Sequence, residues 1–207
     1  MTVGLNASTA GYAEEADRLA VQYESIAFAD VHALVLPFFP ATPADVLDVG
    51  AGTGRDAAAL AALGHRLVAA EPTAELRAHG ERLHAAHPIV WLDDGLPDLA
   101  GTRALGRRFD LILLTAVLMH LDEGDRQTAM AVLAGLLKPG GRLILSLRHG
   151  PVPPGRQMFD VPADEVTAVG RRHGLVERHR ATRGDMFDRG GVSWSHLVLE
   201  TPVGGAM

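Results

Sequence analysis

The sequence predicts an α/β fold, a three-layer sandwich with helices on both faces of a sheet. Three observations carry that prediction. Five short apolar runs, at 46–49, 67–71, 89–92, 109–114 and 142–147, alternate with stretches of helical periodicity, the order that βαβ units produce. The run from Phe109 to Leu114 is almost continuously apolar, as expected of a strand buried on both faces of a parallel sheet. The run ending at Val49 opens directly into glycines at 50, 52 and 54 and then an Ala- and Leu-rich helix, a turn built to meet a ligand.

Composition bounds the remaining possibilities. A chain of 207 residues, 47% hydrophobic and 21% charged, is expected to form one domain with an ample core. The divisions expected are an N-terminal helical segment over 1–45, the α/β domain over 46–202 and a tail over 203–207. The longest apolar run, 111–121, is interrupted by Thr115 and His120 and is too short to cross a membrane. No basic stretch followed by an apolar block opens the chain, so no secretory signal is expected. Cysteine is absent, which excludes disulfides, thiol nucleophiles and thiolate metal sites. A cytoplasmic protein is the expectation. The net charge of −6 and the lack of a basic patch argue against nucleic acid or an anionic membrane as partner. The short basic clusters at 171–172 and 178–183 read as a solvated helix face and a strand edge.

The elements follow in order. Residues 1–10 are small and polar, and fraying is expected. Ala16, Leu19, Ala20, Tyr23, Ile26 and Ala27 recur at helical spacing and predict one or two amphipathic helices ending before Pro37. Prolines 37, 40 and 43 then stiffen the connector into the first strand. The helix over 56–63 stops at Gly64. The second strand, 67–71, ends on Glu71, and Pro72 and Thr73 start a helix reaching Leu83. The third strand, 89–92, runs into Asp93-Asp94-Gly95-Leu96-Pro97. The fourth, 109–114, leads to Thr115 and on to His120. Asp122 reads as the N-cap of a helix over 123–137, which Lys138-Pro139-Gly140-Gly141 ends. After the fifth strand, 142–147, a Pro- and Gly-rich loop precedes a helix over 162–173. Strands over 175–181 and 192–200 complete the fold, joined as a hairpin by the turn Arg189-Gly190-Gly191, and the chain dangles beyond Pro202.

The glycine turn discriminates between ligands. Its spacing departs from a dinucleotide fingerprint, because Arg55 stands where close helix–strand packing wants a small residue. The spacing of Glu71 from Gly54 sets a carboxylate beside the turn, where it can accept hydrogen bonds from both hydroxyls of a ribose. A solvated strand end is the plain alternative. The pattern Asp48-x-Gly50-x-Gly52-x-Gly54, with Leu137-Lys-Pro-Gly-Gly141 ahead of a strand, resembles class I S-adenosylmethionine-dependent methyltransferases. The resemblance runs from 46 to 147, about half the chain, in the expected order. It implies a Rossmann-like, seven-stranded sheet, mostly parallel, with an antiparallel last strand. It also implies that S-adenosyl-L-methionine is the cofactor, with S-adenosyl-L-homocysteine as product. The cofactor-binding positions it implies are Asp48, Gly50, Ala51, Gly52, Gly54, Glu71, Pro72, Asp93, Asp94, Gly95 and Thr115. Within that set Asp94 is placed at the adenine amino group, with Asp93 in reserve. A carboxylate at 94 could equally cap a turn.

The activity so implied is transfer of a methyl group to a small-molecule acceptor. A cofactor with its own leaving group asks the protein chiefly for binding, orientation and a dry pocket. A base is needed only where the acceptor must lose a proton, and His120 and His149 are the candidates, each with a structural role as the alternative. In such proteins the helical segment before the first strand often lids the cofactor, and Tyr12 and Tyr23 are its candidate substrate contacts. Arg148 leaves the fifth strand and Arg189 stands just ahead of Trp194. A planar guanidinium fork and an aromatic face together predict an acceptor with an anionic group. The competing reading pairs these arginines with Asp160, Asp185 or Asp188 on the surface. No metal is expected, since His79, His84 and His87 come nearest to a ligand cluster and read as an exposed helix end. A regulatory or scaffolding protein that binds the cofactor without transfer is the alternative function, and an NAD-dependent oxidoreductase is disfavoured by Arg55.

Overall fold

The computed structural model describes residue 9 and residues 11–204. The fraying expected of residues 1–10 therefore lies outside the described residues except at Thr9, and of the tail expected at 203–207 only Val203 and Gly204 are described, in no helix or strand. The strands are β1 (Asp45–Val49), β2 (Arg66–Ala70), β3 (Ile89–Leu92), β4 (Phe109–Thr115), β5 (Leu137–His149), β6 (Val176–Gly184) and β7 (Ser193–Glu200). They form one sheet in the order β3-β2-β1-β4-β5-β7-β6. Strands β1 to β5 pair in parallel, whereas β7 runs antiparallel to both β5 and β6. This is the seven-stranded, mostly parallel sheet with an antiparallel last strand that the sequence led us to expect.

Helices cover both faces: α1 (Ala16–Glu24), α2 (Phe28–Val31), α3 (Arg55–Ala62), α4 (Ala74–Leu83), α5 (Ala100–Ala104), α6 (Glu123–Leu136) and α7 (Ala163–Arg172). Alternation along the strands divides the core in two. Leu47, Ile112, Leu114 and Leu145 face Leu133 of α6 and Val166 of α7. Val46, Leu111, Leu113, Ile144 and Val198 face Leu60 of α3 and Val35. Each such fully buried aliphatic side chain contributes about 1.5–3 kcal/mol of transfer free energy. The N-terminal segment adds a satellite cluster, with Ala16 and Leu19 of α1 on Leu76 of α4 and both tyrosines at its margin.

Three details depart from expectation. Helix α6 stops one residue early: Leu137 is already extended (φ −77°, ψ 144°) and pairs with Phe109, so Lys-Pro-Gly-Gly belongs to a longer β5. Lys138 Nζ fastens that start to Asp45 Oδ2 at 2.7 Å and Asp110 Oδ2 at 2.8 Å. The two N-terminal α-helices do end before Pro37, as expected, and Pro37 itself sits inside a 3-10 turn over Leu36–Phe38, a place where its missing N–H costs nothing. Helix α5 was unforeseen, and Asp94 secures it by accepting from Thr102 N at 2.6 Å and Thr102 Oγ1 at 2.7 Å. Finally, β6 continues to Gly184, and the connection to β7 is the longer segment 185–192 rather than a tight turn at 189–191.

Candidate active site

The glycine turn leaves β1 at Gly50, whose N–H donates to Ala70 O at 2.8 Å. Gly52 adopts φ 58°, a left-handed value that suits glycine, and its N–H donates to Glu71 Oε2 at 2.8 Å. Thr73 N–H donates to the other oxygen, Oε1, also at 2.8 Å. The Glu71 carboxylate is thus buried and seated on two backbone donors. Burial pushes its pKa up, and the bonds from Thr73 and Gly52 oppose the rise. Asp48, at the end of β1, is buried with Oδ2 unpartnered. Its pKa is raised well above the carboxylate value by burial and by neighbouring Asp56.

Asp56 gathers a second buried set. His32 Nε2 lies 2.8 Å from its Oδ2, Arg55 Nε donates to Oδ1 at 2.8 Å, and Thr115 Oγ1 donates to Oδ2 at 3.0 Å. Burial alone would raise this carboxyl, but His32 and Arg55 reverse the effect and hold it below the usual range. Arg55 also donates to Tyr23 O at 3.2 Å, and Thr53 Oγ1 donates to Glu24 Oε1 at 2.6 Å. These bonds fasten the N-terminal segment over the glycine turn, leaving the Tyr23 ring within 3.5 Å of where a Cβ on Gly52 would stand.

One cavity of about 930 Å³ opens at the carboxyl ends of the parallel strands, near the top of the ~300–1,000 Å³ range of small-molecule sites. Asp48, Gly50, Ala51, Gly52, Glu71 and Pro72 line one part, with Asp93, Asp94, Gly95 and Thr115 beside them. Tyr12, Tyr23, His120, Arg148, Arg189 and Trp194 line the other. Two of the residues singled out by sequence do not line it. Gly54, the left-handed N-cap of α3, packs instead: a Cβ there would come within 2.6 Å of the Trp91 ring. His149 follows Arg148 on β5, and alternation sends it to the opposite face. There its Nδ1 lies 2.9 Å from Asp160 Oδ1 and its Nε2 2.9 Å from Ser195 Oγ, which withdraws it as a base for chemistry in the cavity. Asp93 is 72% exposed at its side chain and pairs with Arg77 at 3.3 Å. Asp94 does cap α5, but through Oδ2 alone.

Tyr12 and His120 form a pair at 2.9 Å between the phenol oxygen and Nε2. The other ring nitrogen, Nδ1, stands 2.8 Å from Gln157 O. A carbonyl only accepts, so Nδ1 carries the proton and Nε2 accepts from the Tyr12 hydroxyl. Burial lowers the His120 pKa, against the bond to Gln157, so the ring is neutral at neutral pH. The guanidinium of Arg156 covers the Tyr12 ring at 3.8 Å and pairs with Glu15. Arg189 is also paired, donating through Nε and NH2 to Asp185 at 2.9 and 2.6 Å, and Asp185 further accepts from Trp194 Nε1 at 3.0 Å. Arg189 therefore follows the ion-pair reading offered by its sequence. Arg148 differs. It is buried, its Nε has no partner, and no carboxylate among the described residues pairs with it. Burial, reinforced by Arg189, pushes its pKa down.

Sequence reasoning missed His32, Asp56 and Arg183. Asp56, directly after the glycine turn, was the one with a usable signal. Among the described residues no three His, Cys, Asp or Glu side chains gather as a metal site, and no helix is long and apolar enough to cross a membrane.

The strand order, the antiparallel β7 and the glycine turn coupled to Glu71 define a class I, Rossmann-like methyltransferase fold. Comparison with known proteins agrees. Residues 47–143 match the family model described as "Methyltransferase domain". An uncharacterized methyltransferase of Mycobacterium tuberculosis is 33% identical over 130 residues, covering 59% of this chain and 64% of that protein. The chain thus spans slightly under two thirds of the length of the curated relatives it matches first. The ubiquinone biosynthesis O-methyltransferase of Xanthomonas axonopodis is 36% identical over 106 residues, 50% of this chain and 42% of that one. Among solved structures, the 1,6-didemethyltoxoflavin-N1-methyltransferase of Burkholderia thailandensis, bound to S-adenosylhomocysteine, superposes with a TM-score of 0.69 at 20% identity. That superposition covers 92% of this chain and 85% of the other.

Proposed function

We propose that this protein is an S-adenosylmethionine-dependent methyltransferase acting on a small acceptor that carries an anionic group. The observation that carries the proposal is one continuous cavity joining the seated Glu71 carboxylate to the Tyr12–His120 pair and the unpaired Arg148. The residues present fit the cofactor. Each Glu71 oxygen, already held by one backbone donor, keeps a lone pair for a ribose hydroxyl. Asp94 keeps Oδ1 for an adenine amino group, Gly50 to Gly52 bring bare backbone to the cavity wall, and the orphaned Asp48 Oδ2 suits a cationic or N–H-bearing portion.

S-adenosylmethionine supplies an activated methyl group on its own leaving group. The chain's residues bind, orient and keep water out. Arg148 grips the acceptor's anion through its fork. Where the acceptor must lose a proton, the Tyr12 oxygen takes it as the phenol proton passes to His120 Nε2. Residues 11–45 act as the lid, held by the bonds of Arg55, Asp56 and Thr53. A cytoplasmic setting belongs to the same proposal, since a cysteine-free chain gains nothing from an oxidising compartment.

Calorimetric titration with S-adenosylmethionine and with NAD, followed by an acceptor scan that detects S-adenosylhomocysteine, tests the reading. Binding of the first cofactor and not the second is expected, then turnover on a small organic acid. Folded protein that binds neither cofactor overturns it.

A further inference from the structure

Arg148, Trp194 and Arg183 stand in one row across β5, β7 and β6, as directly opposed partners in two antiparallel ladders. Opposed partners project from the same face of a sheet, and all three line the cavity. The other arginines of the cavity wall have carboxylates: Arg55 has Asp56, Arg189 has Asp185, and Arg18 and Arg156 share Glu15. Arg148 and Arg183 have none among the described residues, and the Nε of each is buried without a hydrogen-bond partner. Burial pushes both guanidinium pKa values down. Two residues further along β7, on the same face, His196 is buried with Nε2 likewise unpartnered. Arg148 is buried and Arg183 half-buried, and a guanidinium drawn partly out of water with no carboxylate paired to it is costly. Two of them in one row of a ligand cavity point to counter-charges that arrive with the ligand.

The two do not converge on a single group. Arg183 NH1 donates to Asp30 O at 2.8 Å, toward the N-terminal segment, and its charged neighbours are Asp185 and Asp30. Those of Arg148 are Arg189 and Asp185. Their backbones lie two strand spacings apart, about 10 Å, with the indole of Trp194 between them. The bond from Trp194 Nε1 to Asp185 fixes that ring.

We propose that the acceptor is a flat molecule with acid groups on two opposite edges, one held by Arg148, the other by Arg183 beside His196, its ring lying over Trp194. This rests on the reading that the cavity takes a methyl acceptor. Arg183 is then a second anion-binding residue that sets specificity, and a single compact oxyanion such as phosphate is a poor fit to the pair.

The test titrates protein saturated with S-adenosylhomocysteine against three probes: 2-naphthoate, 2,6-naphthalenedicarboxylate and inorganic phosphate. In the wild type the diacid is expected to bind at least ten-fold more tightly than the monoacid, with phosphate weaker than either. Arg183→Met should erase the advantage of the diacid and leave 2-naphthoate and S-adenosylhomocysteine affinities unchanged. Arg183→Gln, which keeps a donor for Asp30 O, should do the same if the methionine variant fails to fold. Arg148→Met should weaken both acids. Equal affinity for the two naphthoates, an advantage that survives in either Arg183 variant, or phosphate binding as tightly as the diacid overturns the proposal. Failures of the two readings remain distinct: monoacid binding that depends on Arg148 but not Arg183 leaves a singly anionic acceptor standing and removes the two-edged one.

Discussion

Replacing Glu71 by glutamine separates its observed role in the turn from its proposed role at the ribose. The wild-type carboxylate accepts from Gly52 N–H and Thr73 N–H, one on each oxygen, both at 2.8 Å. The amide keeps one acceptor and turns its NH2 toward the other backbone donor. One buried N–H is thereby orphaned, at a cost of about 1–3 kcal/mol of folding stability. A domain of this size loses about 2–4 °C of Tm for each kcal/mol. The amide also removes the charge from one of the two proposed bonds to ribose hydroxyls and reverses the other, about 1.5–3 kcal/mol of binding. That loss is on the order of 10- to 150-fold in Kd for S-adenosylmethionine. Thermal unfolding without ligand reads the first effect, and calorimetric titration well below the lowered Tm reads the second. A variant that melts early yet binds the cofactor as tightly as wild type would show that Glu71 only shapes the turn, and the ribose assignment would be lost.

Three further outcomes follow from the same geometry. With an acceptor in hand, Arg148→Met should raise its KM at least ten-fold and spare cofactor affinity, while Arg189→Met, whose guanidinium Asp185 already holds, should change KM far less; the reverse ranking would refute the division between paired and unpaired arginines. Burial sets the His120 pKa below the ordinary histidine value of 6.5, so kcat/KM should fall on the acid side only below that value, and His120→Gln should abolish this limb of the pH profile. Burial lowers the pKa of His196 to about 4, which makes the unfolded chain bind the extra proton first. Its share of stability is therefore full above pH 6.5 and lost as the pH falls toward about 4, and His196→Gln should flatten that part of the denaturation curve.

Parts of this site are legible in the chain because they depend on local spacing. Glu71 lies a fixed distance past the glycine turn, and parallel pairing of β1 with β2 brings the two together without help from distant sequence. Arg183 is not legible. Its place opposite Trp194 depends on a register that shifts at an irregularity between Glu177 and His179, and a one-residue slip would turn it to the other face. His149 failed for a reason that strand alternation supplies: adjacent residues of one strand cannot both face the cavity. His32 belongs to a stretch with helical spacing and no motif, and only tertiary packing reveals that it reaches Asp56. The start of β5 was misread because Lys-Pro-Gly-Gly is good helix-ending chemistry, which says nothing about the strand pairing that follows.

Strand β7 reverses direction between two neighbours, and this reversal divides the molecule's labour. Its amino-terminal end, with Trp194, lies at the edge of the sheet where the parallel strands have their carboxyl ends, and the segment 185–192 therefore folds over the cavity instead of away from it. All of this lies beyond residue 143, where the recognisable domain match stops. Substitutions there can reshape what the cavity admits without touching β1, the glycine turn or Glu71. One half of the chain can stay constant while the other drifts, so close kin of this protein should share a cofactor grip and differ first in residues 148–196.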